Sequence, residues 1–514
     1  MNPQLHELKS RLIEINDLNS AAALLRWDQT TYMPAGGAEA RGRQLATLGS
    51  LAHAKFTDPA IGRLLDRLER ETAALAYDSD DAALLRVTRR EYDRAVRLPV
   101  AFVSELNQHT AAAYQVWTTA RPANDFARVR PNLEKTLDLS RRMAGFFPGY
   151  ESIADPLIDF SDYGMKTATV RAVFSELRAR LVPLVRAIAE KPAADDRCLR
   201  HDVPEAQQLA FGLDVIRRFG FDFERGRQDK THHPFMTKFS LGDVRITTRV
   251  RPHDITDSLF STLHESGHAM YELGIRRDYE GTPLAEGTSS GVHESQSRLW
   301  ENVVGRSLGF WQFFYPRLQA AFPQQLGGTG IDTFYRAVNR VARTLIRTDA
   351  DEVTYNLHVM LRFDLELDLL EGRLAVKDLP RAWGERFERD FGLAVPDDRD
   401  GVLQDVHWFA GLIGGAFQGY TLGNVLSAQF FDAARRAVPG IPADITRGEF
   451  GALHGWLGEH VYQHGSKFTA AELVERATGA PMSIEPYLAY LWSKYQPLYG
   501  LEANPAPAAG APRR

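Results

Sequence analysis

Cysteine is almost missing: Cys198 is the only one in 514 residues, so no disulfide can close within the chain and a cysteine-rich zinc site is excluded. That scarcity is usual in a reducing compartment. No run of 18 apolar residues occurs, which leaves no candidate membrane-spanning helix. The first residues, MNPQLHELKSRLIEIND, alternate charge with apolar side chains and lack the continuous apolar core of a signal peptide. A cytoplasmic protein with no membrane partner is expected. Charge of one sign is not in excess either. The formal net charge is −5, with Lys and Arg spread along the chain, so nothing resembles an electrostatic footprint for nucleic acid. No repeat of 20–50 residues is visible.

What is present is ordinary for a globular enzyme, with 44% hydrophobic and 25% charged residues. The length exceeds the roughly 250–300 residues at which one core usually divides, so several lobes, or a single interlocked helical body, are expected. From residue 4 to about 150 apolar residues recur at helical spacing, as in Leu8, Leu12 and Ile15 or Leu64, Leu65 and Leu68. Trp27, beside Asp28, reads as a core aromatic. Further helices are expected over 167–190 and 204–220, with the lone Cys198 on an intervening surface loop as an unreactive thiol. After Glu294, helices are expected at 293–305, 309–322, 332–347 and 351–371. A break near Thr348 is predicted because Asp349 and Glu352 have the spacing of a capping box. The tail from 504 to 514 is low in complexity and reads as unfolded.

The clearest β signal spans 233–250. Phe235, Thr237 and Phe239 alternate with Met236 and Lys238, then Val244, Ile246 and Thr248 alternate with Arg245 and Thr247. Gly242 and Asp243 supply the turn of a predicted hairpin. It stands just before His264-Glu265-Ser266-Gly267-His268. On a helix the two histidines share one face and can reach one zinc ion, while Glu265 lies about 100° round, where a general base for zinc-bound water belongs. Gly267 costs such a helix roughly 1 kcal/mol relative to Ala, which points to something approaching the backbone closely. Glu294 can complete a His, His, Glu ligand set and leave a fourth position open. A third-histidine motif is excluded, because it needs Gly at 271 and His at 274, where Tyr271 and Gly274 stand. The chemistry this implies is metal-assisted hydrolysis of an amide, with Glu265 moving the proton. A free edge of the hairpin could hold an extended peptide.

Six ordered motifs carry a resemblance. His233-Pro234-Phe235, Asp243-x-Arg245-x-Thr247, His264 to His268, His293-Glu294-Ser295-Gln296, Ile346-Arg347-x-x-Ala350-Asp351 and Gly401-x-x-Gln404-Asp405-x-His407-Trp408 together resemble the carboxypeptidase Taq family of thermostable metallocarboxypeptidases. The resemblance implies a mainly α fold: a large helical body with a deep active-site groove and a very small β-sheet, of neurolysin-like architecture. The chain would form one unit over 1–503 with its zinc-site core at about 230–425. It implies a homodimer and the removal of single C-terminal residues from peptides, with broad specificity and a poor rate beside proline. Zinc, one ion per chain, would be replaceable by cobalt or manganese.

Carried over, His264, His268 and Glu294 would be ligands and Glu265 the base. Arg347 would grip the C-terminal carboxylate, with His233, His407, Tyr420 and Arg245 as further candidates for substrate binding. Where related peptidases place an acid four residues after the carboxylate ligand, this chain has Arg298. Partners for the zinc histidines would come from Asp349, Asp351 or Asp405. Two other readings remain at this stage: an oligopeptidase of the same helical-groove architecture, and a zinc-stabilised binding protein without turnover.

Overall fold

The computed structural model describes residues 2–502; the tail expected to be unfolded lies outside them. The helical periodicity of the first residues produces two long neighbouring helices, Pro3–Thr31 and Ala38–Phe56, followed by Pro59–Glu71 and Asp80–Arg97. The expected helices at 167–190 and 204–220 are Thr167–Ala189 and Glu205–Phe219, the second ending at Gly220 with φ of 103°. The fold is mainly α-helical with one very small sheet. Among the described residues no helix is long and apolar enough to cross a membrane.

Buried side chains gather in three clusters. The smallest joins Leu5, Leu8 and Leu12 to Leu65 and Leu68, and reaches Leu241 and Tyr279. One larger cluster surrounds Leu181, Leu357, Leu361 and Trp408. The other surrounds Phe219, Leu263, Trp300 and Trp311. The helix Gln418–Ala437 belongs to both, with Leu422 and Val425 in one and Leu426 and Phe430 in the other. We call it the glycine helix, and the functional groups lie along the seam it spans.

The sheet has the order β1-β3-β2, with β1 Gly226–Lys230, β2 Met236–Ser240 and β3 Asp243–Thr248. The predicted hairpin is β2 and β3, antiparallel, with Thr237 opposite Arg245. β1, which the sequence pattern did not signal, lies parallel on the other side of β3. Val244 and Ile246 turn into the core, and Phe239 of β2 meets Trp27 edge-on at 6.4 Å.

Two helix expectations change. The helix placed at 332–347 stops at Val338, where the Asn339 side chain bonds back to the carbonyls of Tyr335 and Arg306. The chain then runs irregularly to Tyr355, and Asp351, rather than Asp349, organises it by accepting the backbone N–H groups of Ala342, Val353 and Thr354. The helix after Glu294 is Ser290–Arg298, continued by a widened π turn at Leu299–Val304. Ser289 caps its start by accepting the Val292 N–H.

Candidate metal centre and active-site groove

The histidine helix, Asp257–Leu273, begins after Asp254, whose carboxylate turns the chain by taking the N–H and hydroxyl of Thr256. Leu259, Leu263 and Met270 anchor it in the core. Gly267 faces the helix that carries Glu294: a Cβ there would lie 2.5 Å from the Gln296 carbonyl oxygen and 2.7 Å from Ser297 Cα. On the opposite side, a Cβ on Gly423 of the glycine helix would lie 2.6 Å from Glu294 Cβ. The glutamate helix is therefore wedged between two neighbours that touch it at glycine.

That wedge brings the ligand atoms together. Glu294 Oε2 lies 3.8 Å from His264 Nε2 and 3.4 Å from His268 Nε2, and among the described residues these three form the one cluster of candidate ligands, all within 4.8 Å of one another. Each imidazole is held from behind. His264 Nδ1 is 2.9 Å from Glu301 Oε2. His268 Nδ1 is 2.6 Å from His293 Nδ1, and His293 Nε2 is 2.8 Å from Glu272 Oε1. Because Glu272 accepts from His293 Nε2, His293 Nδ1 is free to accept from His268, and both ligand histidines keep an Nε2 lone pair for a cation. Lys238 of β2 holds the other Glu272 oxygen at 2.7 Å.

Arg298, at the place where an acid was sought, donates to Glu294 at 2.7 Å and to Glu301 at 3.2 Å. Burial opposes ionising both acids, yet Arg298 outweighs it, holding Glu294 well below the usual carboxylate range and Glu301 at about 2. Burial lowers His268 to about 4. At His264 burial is outweighed by Glu294 and Glu301, which favour the protonated form; cation binding there displaces a proton. Two neutralisable imidazoles, one carboxylate and an open fourth side fit a divalent cation.

Glu265 is buried and carries no opposing arginine, and burial pushes its carboxyl up to about 7. It lines a cavity of about 760 Å³ with His264, Glu294, Arg298, Arg347 and Tyr420. A second cavity, about 610 Å³, is lined by His268, His293, Glu294, Tyr420, Arg90 and Arg94. The two meet at Glu294 and Tyr420.

The remaining sequence candidates divide. Arg347 is buried at the wall of the larger cavity, donating from Nε to Asp405 at 2.6 Å and from Nη1 to the Tyr355 hydroxyl at 2.9 Å. Tyr420 lies 3.1 Å from His407 Nε2, and His407 Nδ1 bonds Asp405. His233 is exposed beside Pro234, which lines the larger cavity. Arg245 lines neither cavity: it pairs with Asp243 at 2.8 Å and stacks its guanidinium 4.6 Å from the Trp27 ring.

None of Asp349, Asp351 and Asp405 bonds a ligand histidine. Asp349 faces Arg251 at 3.8 Å, and the acids behind the ligands are Glu301 and Glu272. Spacing offered a signal for both, since Glu301 is two turns beyond Glu294 and Glu272 one turn beyond His268. No residue of β2 lines either cavity. Cys198 is half-buried, and burial raises its thiol.

The sequence pattern of the carboxypeptidase Taq (M32) metallopeptidases matches residues 7–495. The chain belongs to this family. It is accordingly a metallocarboxypeptidase, a peptide-bond hydrolase. Among its M32 relatives, thermostable carboxypeptidase 1 of Thermus thermophilus is 41% identical over 94% of this chain and 96% of its own length. The solved M32 carboxypeptidase from Deinococcus radiodurans superposes with a TM-score of 0.94 at 52% identity, covering 97% of this chain and 100% of that one. The metallocarboxypeptidase 1 structure from Trypanosoma cruzi superposes at 0.91 and 33% identity, over 96% and 99% of the two chains.

Proposed function

We propose that this M32 enzyme is a zinc carboxypeptidase that releases single C-terminal residues from peptides. The observation that carries the reading is the sharing of one cavity by Glu265, Glu294 and Arg347. An arginine set in the wall beside the reacting groups supports a cut at a chain end, because a guanidinium takes a terminal carboxylate through two parallel N–H bonds. His264, His268 and Glu294 would hold zinc, or cobalt or manganese in its place, supplying Lewis acidity and a water of lowered pKa. Glu265 takes the proton of the attacking water and hands it to the departing amine. Tyr420, with its phenol kept neutral by burial, offers a hydroxyl at the junction of the two cavities.

The larger cavity exceeds any one side chain, which supports broad specificity. Poor cleavage beside proline, a homodimeric state and a cytoplasmic location complete the proposal. So does a single working unit over the helical body, with its zinc-site core at about 230–425.

The test uses one peptide in two forms, with a free C-terminus and as its amide, followed by mass. A ladder shortening from the free end, with the amide left intact, supports the reading. Cleavage of the amide with release of dipeptides would establish the oligopeptidase instead.

A further inference from the structure

An arginine in a closed ion pair is a poor receptor for a carboxylate, because its charge is already spent on its protein partner. Arg347 has such a partner in Asp405, bonded at 2.6 Å from Nε and 3.4 Å from Nη2. Asp405 is not its partner alone. Arg362 is fully buried, lines neither cavity, and donates from Nε to the same Asp405 oxygen at 2.9 Å. Its Nη2 donates to Gln404 Oε1 at 2.9 Å and its Nη1 to the His358 carbonyl at 2.8 Å, so every nitrogen of its fork is bonded within the protein. Arg347 bonds the protein through the same three nitrogens, but unlike Arg362 it lines the larger cavity, and two of its five N–H groups have no protein acceptor.

The charges around this trio do not cancel. Two guanidiniums face one carboxylate. On the helix that carries Arg362, His358 and Glu366 stand one turn to either side. Burial lowers His358 well below its usual range, and neither of its ring nitrogens has a partner, so it is neutral. Burial pushes Glu366 up to about 7, with Oε1 bonded to the Trp408 indole and Oε2 unpartnered, so it is neutral below that pH. From the other elements come the hydroxyls of Tyr355 and Tyr420 and the imidazole of His407.

We propose that Arg362 is the specificity-setting residue behind the carboxylate clamp: by sharing Asp405 it leaves Arg347 with one positive charge unpaired, and the C-terminal carboxylate of the substrate supplies the missing anion. Arg362 touches no substrate and acts as a positioning and charge-setting residue. The inference rests on the reading of Arg347 as the clamp. It accounts for two otherwise costly buried arginines converging on one acid: the excess charge is the binding energy for a chain end.

The experiment measures KM and kcat at pH 6 for an N-acylated dipeptide with a free C-terminal carboxylate, together with metal content. Arg362→Gln leaves Arg347 and Asp405 as a closed, neutral pair, and KM rises about 10–100-fold from the loss of one unit charge at several ångströms, with kcat changing much less and metal content unchanged. Arg362→Lys keeps the charge and stays within about tenfold of wild type. The double variant Arg362→Gln with Asp405→Asn restores one unpaired guanidinium, so KM returns toward wild type, an outcome that a purely structural role does not produce.

An unchanged KM in Arg362→Gln overturns the proposal, as does a double variant as poor as Arg347→Gln. Should Arg362→Gln not fold, the lysine and double variants decide alone. Arg347→Gln separates the two levels. If it leaves KM unchanged the clamp reading itself fails, whereas a large effect there with none at Arg362 sinks only the present inference.

Discussion

Gly267→Ala adds one methyl group at the contact between the two ligand-bearing helices. The new Cβ would sit 2.5 Å from the Gln296 carbonyl oxygen, and an ordinary contact of 3.4 Å requires the helices to part by about 0.9 Å. Both atoms in contact are backbone, so no side chain can swing aside. Ligand distances in a metal site tolerate only about 0.2 Å, and Glu294 rides on the displaced helix. Overpacking costs about 1–3 kcal/mol, while the gain of Ala over Gly in a helix returns about 1 kcal/mol.

The metal-free protein therefore loses at most about 2 kcal/mol of stability. Metal affinity, which depends on the geometry directly, falls about 10–100-fold, as for removal of a group that orients a ligand. Competition with a coloured chelator reads the affinity, and denaturant unfolding of the metal-free form reads the stability. Gly384→Ala is the control, because a Cβ at Gly384 meets nothing within 4 Å; it should leave metal binding alone. A Gly267→Ala protein that binds metal as tightly as wild type refutes the wedge.

Glu265→Gln should retain one metal per chain by elemental analysis while kcat falls by about 10²–10⁴; high residual turnover would remove Glu265 from the proton path. Glu301→Gln withdraws the carboxylate behind His264 and should weaken metal binding about 10–100-fold in the same chelator competition. An unchanged constant would show that Glu301 does not orient His264 for the metal. Glu366 gives a pH signature in stability. Its folded carboxyl titrates at about 7 against an ordinary 4.5, so between those values the folded chain holds a proton that the unfolded chain has lost. Stability from this group is then complete below about 4.5 and falls by about 3 kcal/mol as pH rises through 7. Glu366→Gln should flatten that part of the profile, and a parallel profile would place the titration elsewhere.

Much of the site was legible because it is local. His264 and His268 lie one helical turn apart, and Gly267 announced a close backbone approach that the glutamate helix supplies. The hairpin strands alternate cleanly, so β2 and β3 were readable. β1 was not, because Gly226 to Lys230 is polar and gains its strand form only by lying beside β3. The helix expected to reach 347 ends at Val338, since Asn339 and Asp351 capture backbone groups through contacts that no window of sequence contains. The acids behind the histidines were missed for a related reason. Glu272 acts through His293, a residue from another helix, and Glu301 reaches His264 from a widened turn, so spacing marks both as neighbours of the ligands but only the packing of the elements says which imidazole each supports.

Glu294 and Tyr420 belong to both cavities, which makes the metal centre a partition with a chamber on each side. On the proposed polarity the detached residue is left in the chamber with Arg347, and the shortened peptide remains in the chamber with His293. The two products then lie on opposite sides of that partition. A peptide that keeps its hold on the far side is not blocked by the residue it has just lost, and its new terminus can advance to Arg347 as soon as that residue has gone.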